Sequence, residues 1–263
     1  MIVVEVVFLA IFWTWAVSAV LFLHNTFLPR LPLTRIPAQF GLPSESVRFE
    51  ATDGMRLEGW KIPADPARPW VILCHGVGSN RSDLLEIAQG LHGAGFNVFL
   101  FDFRAHGISR GVVTSFGWLE QRDLEGALAF LGRQPEIPAR PYGIFGISMG
   151  GSVALMVASR DERLGAVAVD SPYTDLEETL GRHLTLMYPL PRVPFLWCVL
   201  ATYRLRFGVW PRKLSPTQSA SRLSPCALLL IHGAHDILAG EPKLLDPHAY
   251  LRRLTSFFAS QLA

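Results

Sequence analysis

Residues 146–151 read Gly146-Ile147-Ser148-Met149-Gly150-Gly151 and directly follow the apolar run Tyr142–Phe145. The run has the length and character of a buried strand, and Met149–Ser159 that of a helix. A serine held between glycines at such a junction sits on a sharp, strained strand-to-helix turn. Cβ atoms on the flanking positions would clash there, and the hydroxyl is lifted above the sheet edge. The pattern therefore demands a sheet with a helix packed against it, and it marks Ser148 as a candidate nucleophile.

The rest of the chain reads as strands alternating with helices. Ser46–Ala51 and Arg56–Ile62 are strand-like and joined by the turn signal Thr52-Asp53-Gly54. Trp70–Cys74, Asn97–Phe101, Val167–Asp170 and Ala227–Ile231 are short apolar runs, while Ser82–His92 and Trp118–Leu131 carry apolar residues at helical spacing. Continuous apolar strands between helices predict an α/β domain whose mostly parallel sheet is covered on both faces. Its reactive loops should gather at the carboxyl ends of the strands. Residues 171–224 break the rhythm with six prolines, seven aromatics and seven Arg or Lys against three acids. An insertion of this kind reads as a lid over a pocket. Its basic charge suits either anionic lipid headgroups or plain solvation.

The N-terminus is a separate object. Val6–Leu23 is eighteen residues without charge, and as a helix it spans about 27 Å, close to a bilayer's hydrocarbon thickness. The expectation is a transmembrane anchor over residues 1–24, with a cleaved signal and a buried helix as alternatives. The segment has no Lys or Arg before its apolar run, and Arg30, Arg35 and Arg48 follow it, which places the bulk of the chain in the cytoplasm. Residues 25–45 then form a proline-rich linker and 46–263 the α/β domain. The 263 residues suit one such domain, and a net charge of +2 argues against a nucleic-acid partner. Cys74, Cys198 and Cys226 have no metal-ligand spacing, and neither a metal nor an organic cofactor is implied.

Acyl transfer by a serine requires a base, an orienting acid and an oxyanion hole. The backbone amide of Met149, at a helix N-terminus, is one candidate oxyanion donor. The other is Val77, in the loop after Trp70–Cys74. In the same loop His75 reads as a shaping residue. Five segments together, in this order, resemble the α/β-hydrolase superfamily: His75-Gly76-Val77-Gly78-Ser79-Asn80, residues 101–107 (Phe-Asp-Phe-Arg-Ala-His-Gly), residues 146–151, Asp170-Ser171-Pro172, and residues 231–236 (Ile-His-Gly-Ala-His-Asp). The resemblance covers about residues 45–236 and is greatest to small, often membrane-anchored serine hydrolases related to serine aminopeptidases and acyl-thioesterases. It departs at Ala105, where that subgroup usually has glycine. It implies Ser148 as nucleophile and Asp236 as triad acid, with Asp102 and Asp170 as structural residues, and a small-molecule or acylated substrate.

The base is harder to place. The resembling family puts its histidine beyond a further helix and strand after the acid, and 27 residues follow Asp236. The last eighteen read as an amphipathic helix capped by Asp246, with Leu251, Leu254, Phe257, Phe258 and Leu262 on its apolar stripe. The expected last strand is therefore missing from the pattern. His248 is the sole histidine after Asp236 and becomes the base by default, although a helix N-terminus disfavours its protonated form. His75 and His106, in loops on the same side, are the alternatives. Two further readings stay open: a catalytically impaired hydrolase fold, and a membrane-tethered module that binds acyl chains or lipid.

Overall fold

The computed structural model describes residues 2–137, 141–232 and 247–262. Seven strands form one sheet in the order β1-β2-β4-β3-β5-β6-β7. They are β1 (Glu45–Glu50), β2 (Arg56–Ile62), β3 (Trp70–Cys74), β4 (Asn97–Phe101), β5 (Tyr142–Ile147), β6 (Leu164–Asp170) and β7 (Ala227–Ile231). The first two are antiparallel additions, and β4, β3, β5, β6 and β7 run parallel. Among the described residues the sheet ends at β7, whose Leu228 and Leu230 are exposed.

The period-2 geometry of a strand explains how both faces become apolar. In β3, Trp70, Ile72 and Cys74 point to one side, where α3 (Glu120–Gly132) and α4 (Met149–Ala158) contribute Leu124, Leu128, Val153 and Val157. Val71 and Leu73 point to the other, where α2 (Leu85–Gly93) and α8 (Pro247–Gln261) contribute Leu85, Leu91, Leu254 and Phe258. The expected terminal helix is thus present and docks its apolar stripe against the sheet. Helix α2 starts later than its periodicity predicts. Asn80 accepts a hydrogen bond from the Ser82 amide (3.0 Å) and tightens Arg81–Leu84 into a 3₁₀ turn.

The N-terminal helix α1 spans Ile2–Thr26, and it alone among the described residues is long and apolar enough to cross a membrane. Its two ends differ. Residues 2–13 are all exposed, whereas Ser18, Ala19, Phe22 and Thr26 are buried. Phe22 packs edge-on against Tyr203 and Phe207, with centroids 5.7 and 6.2 Å apart. Both belong to α6 (Arg192–Phe207), which with α5 (Leu176–Met187) and α7 (Pro216–Ala220) makes up the inserted lid. The Thr26 carbonyl accepts from the Thr114 amide (3.0 Å), and the Arg30 guanidinium donates to the carbonyls of Gly107, Ser109 and Gly111. The segment after α1 is therefore fastened to the domain, and its residues Pro37–Phe40 form a 3₁₀ turn.

Three ion pairs hold the loops at the carboxyl edge. Arg81 meets Asp102 at 3.0 Å with both side chains at most 2% exposed, and its guanidinium lies 4.3 Å from the centroid of the Trp60 ring. Asp102 also accepts from the amides of Arg81 (2.8 Å) and Ile108 (3.0 Å). Arg104 bridges Asp53 and the fully buried Asp123. Removing one partner of a buried pair strands the other charge. Asp102→Ala is expected to lower stability by about 3–5 kcal/mol, read as a large drop in thermal midpoint. A shift of a degree or less would show that the pair is dispensable.

Candidate active site

Strand β5 delivers Ser148 to the carboxyl edge. Ile147 pairs with Asp170 of β6, and the Ser148 amide donates to the Asp170 carbonyl (2.8 Å). Ser148 then adopts φ 51°, ψ −118°, and α4 begins at the next residue. A positive φ at a serine costs about 1–3 kcal/mol and persists only where its surroundings impose it. The glycines supply that constraint. A Cβ on Gly146 would lie 2.5 Å from the Gly150 carbonyl oxygen, and one on Gly150 would lie 2.3 Å from that of Cys74. Helix α4 is thereby pressed against the end of β3.

The loop after β3 passes immediately beside the serine. A Cβ on Gly76 would approach the Ser148 Cβ to 3.4 Å and its hydroxyl oxygen to 4.0 Å. Val77 and Met149 both line the cavity into which Ser148 opens. Two buried histidines shape this loop. The His75 Nδ1 lies 2.7 Å from the Gly76 carbonyl oxygen, and its Nε2 accepts from the Phe103 amide (3.0 Å). The His106 Nδ1 meets the Arg104 carbonyl oxygen (2.8 Å), and its Nε2 accepts from the Gly78 amide (3.1 Å). With both ring nitrogens of each engaged by backbone, neither imidazole is free to take a proton from Ser148. Between them the chain turns through Ala105 at φ 63°, a left-handed conformation that accounts for the glycine usual at this position in the resembling subgroup. Asp102 serves the loop as described above. Asp170 is likewise buried, and its carboxylate accepts from the hydroxyls of Ser171 (3.0 Å) and Tyr250 (2.6 Å).

The cavity measures about 530 Å³, within the range of small-molecule sites. Ser148, Met149, Val77 and Gly78 form its floor, Leu180, Leu184 and Val199 of the lid its roof, and Leu21, Phe22, Asn25 and Leu28 a side wall. His248 is exposed at the start of α8 and is absent from the described lining. Asp236 lies outside the described residues. Two histidines that sequence reasoning passed over do line the cavity. His232 follows β7 directly. His183, which has no chemical neighbour in the sequence, acquires two in the fold: its Nε2 lies 3.1 Å from the Asn25 Oδ1, and its ring packs 5.9 Å from that of Tyr188. Burial depresses its pKa. Its contact with Asn25 joins residues 158 positions apart, a separation at which no local pattern signals it. Among the described residues no imidazole hydrogen-bonds the Ser148 hydroxyl, and no cluster of three His, Cys, Asp or Glu is arranged to hold a metal ion.

A mostly parallel sheet in this strand order, with a strained serine turn after β5 and a helical lid, defines an α/β hydrolase. The sequence profile of the serine aminopeptidase (S33) family matches residues 65–207, and the chain belongs to that family. It is 32% identical over 198 residues to the uncharacterised YfhR of Escherichia coli, an alignment covering 73% of this chain and 63% of that protein. It is 30% identical over 134 residues to a polyketide transferase of Stachybotrys chlorohalonatus, covering 50% of this chain and 45% of that one. Among solved structures, an esterase of Pyrococcus furiosus superposes with a TM-score of 0.70 at 23% identity, covering 90% of this chain and 98% of that one.

The two loop histidines carry a pH signature. Burial holds His75 well below the usual imidazole range, and the neighbouring His106 adds to the effect. Burial also lowers His106, against the pull of the Arg104 carbonyl and nearby acids. Both are neutral when folded, so the unfolded chain takes up protons first as pH falls below about 6.5. Their contribution to stability is intact above that pH and declines below it, by up to about 1.4 kcal/mol per pH unit for each histidine. Thermal midpoints from pH 7 to 5 are expected to fall accordingly, and His106→Gln to reduce the slope. Because the raised carboxyls Asp102 and Asp123 pull the other way over the same range, the difference between the two proteins is the test, and equal slopes would contradict the assignment.

Proposed function

We propose that this protein is a membrane-anchored serine hydrolase that cleaves an acyl ester, thioester or amide. The observation that carries the reading is the strained turn at Ser148, opening beneath a lid into a largely apolar cavity. In this reading the Ser148 oxygen attacks the acyl carbon and its proton passes to an imidazole. The Met149 and Val77 amides stabilise the oxyanion. The bond to the leaving group then breaks as that group takes the proton, and water hydrolyses the acyl-enzyme by the same route. Asp236 is the orienting acid and His248 the base, with His232 and His183 as the cavity-lining competitors for that role. The α1 helix spans the bilayer, and the arginines that follow it keep the domain on the cytoplasmic side. No nucleic-acid partner is part of the reading.

A second reading has its own observation. The Ser148 hydroxyl has no imidazole partner among the described residues. A hydrolase fold without an effective base retains only the weak catalysis of its oxyanion hole, about 10⁴–10⁶ below a complete triad. Labelling of the full chain in nanodiscs by a fluorophosphonate separates the two. The hydrolase reading expects rapid labelling that Ser148→Ala abolishes, and a comparable loss in one of His248→Ala, His232→Ala or His183→Ala. Folded wild-type protein that resists the reagent would leave the impaired hydrolase standing.

A further inference from the structure

The helix that anchors the chain is also a wall of the cavity. Leu21, Phe22, Asn25 and Leu28 of α1 and the turn after it face the same space as Ser148. Leu21 lies one helical turn, about 6 Å along the axis, beyond the exposed Val17, and Val20, 65% exposed, stands directly before it. The lipid-length surface and the cavity wall are thus successive stretches of one rigid helix. Thr14 and Ser18 donate to the carbonyls of Ala10 and Thr14 (2.8 Å each), so this stretch has its hydroxyls satisfied within the helix.

The lid meets α1 at a polar latch. The Asn25 amide donates to the Tyr188 hydroxyl (2.7 Å) and its oxygen faces the His183 ring nitrogen (3.1 Å). Beside this latch the lid exposes Leu186, Met187, Val193 and Trp197, interspersed with Arg182 and Arg192, which both pair with Glu178 (3.6 and 2.7 Å). Apolar and aromatic side chains mixed with cations are what a surface seated in a headgroup layer requires. A cavity that served water-borne polar substrates would need neither that rim nor a wall made from a membrane-length helix.

We propose that α1 is the acyl-chain wall of the active site, and that the substrate is a long-chain acyl compound drawn laterally from the bilayer along this helix to Ser148. The inference rests on Ser148 being the nucleophile. Leu21 is then a specificity-determining residue for chain length. For a reagent dissolved in water, each further methylene buried against this wall should raise the second-order rate by about fourfold until the space is filled. At fixed bilayer mole fraction the rate should instead depend little on chain length, because lipid tails are equally apolar.

The test uses the full chain in phosphatidylcholine nanodiscs and alkyl fluorophosphonates of two lengths, ethyl and dodecyl. Leu21→Trp should slow dodecyl labelling by about tenfold or more while leaving ethyl labelling nearly unchanged, and Leu9→Trp, on the exposed part of α1, should alter neither. The dodecyl rate should follow the reagent's mole fraction in the bilayer. Equal slowing of both reagents by Leu21→Trp, no slowing at all, or a rate that follows bulk aqueous concentration at fixed bilayer fraction would overturn the proposal. Equilibrium binding of a fluorescent dodecanoic acid in the same nanodiscs separates this inference from the one beneath it. If no reagent labels Ser148 but Leu21→Trp still weakens binding by about tenfold, the nucleophile reading fails and the α1 wall stands. If Leu21→Trp leaves binding unchanged, the wall fails whatever Ser148 does.

Discussion

The close approach of α4 to the end of β3 is the contact on which the rest of the site depends. Gly150 lies against the Cys74 and His75 carbonyls with no room for a methyl group. That proximity sets the turn at Ser148, brings Met149 to the head of a helix, and forces the following loop to pass over the serine at Gly76. A larger residue at Gly150 would push the helix off the sheet and separate all three. The strain at Ser148 is therefore sustained by backbone packing on both sides, where a single hydrogen bond would be too weak to hold it.

Around that contact, polar groups that resemble catalytic ones do mechanical work. His75 and His106 use both ring nitrogens to tie two loops together, and Asp102 gathers Arg81 and the Ile108 amide. A Cβ on Gly107 would fall 2.1 Å from the Asp102 carboxylate, so the loop closes around that charge. Buried and fully bonded, these groups define where Val77 stands. Chemistry is left to residues with an open side toward the cavity.

Much of this frame was legible beforehand. The limits of β2, β3, β4 and β7 follow from apolar runs bounded by turn residues, and the serine turn from two glycines at fixed spacing. These are local signals, each written in fewer than ten residues. What stayed hidden is the cavity's side wall. Hydropathy reads α1 as uniformly apolar, and lipid tails and a protein interior are equally good solvents for Phe22. Whether that ring meets a bilayer or Tyr203 depends on a lid about 180 residues away. His183 was passed over for the same reason, since its partner Asn25 lies in a segment that composition assigns to an anchor and linker. Asp236 and the stretch up to 246 lie outside the described residues, so His248 is argued as the base from sequence order, with His232 and His183 of the cavity lining as its competitors.

The fastening of Thr26 and Arg30 to the 107–114 loop has a geometric corollary. A domain on a slack tether samples many heights above a surface and many orientations. Here the helix leaves the domain with no slack, so tilt and elevation are set by the fold. In the proposed membrane setting the enzyme works as a depth gauge, presenting Ser148 at one fixed elevation. Its selectivity would then lie as much in how far a scissile bond sits from the bilayer surface as in what that bond is made of.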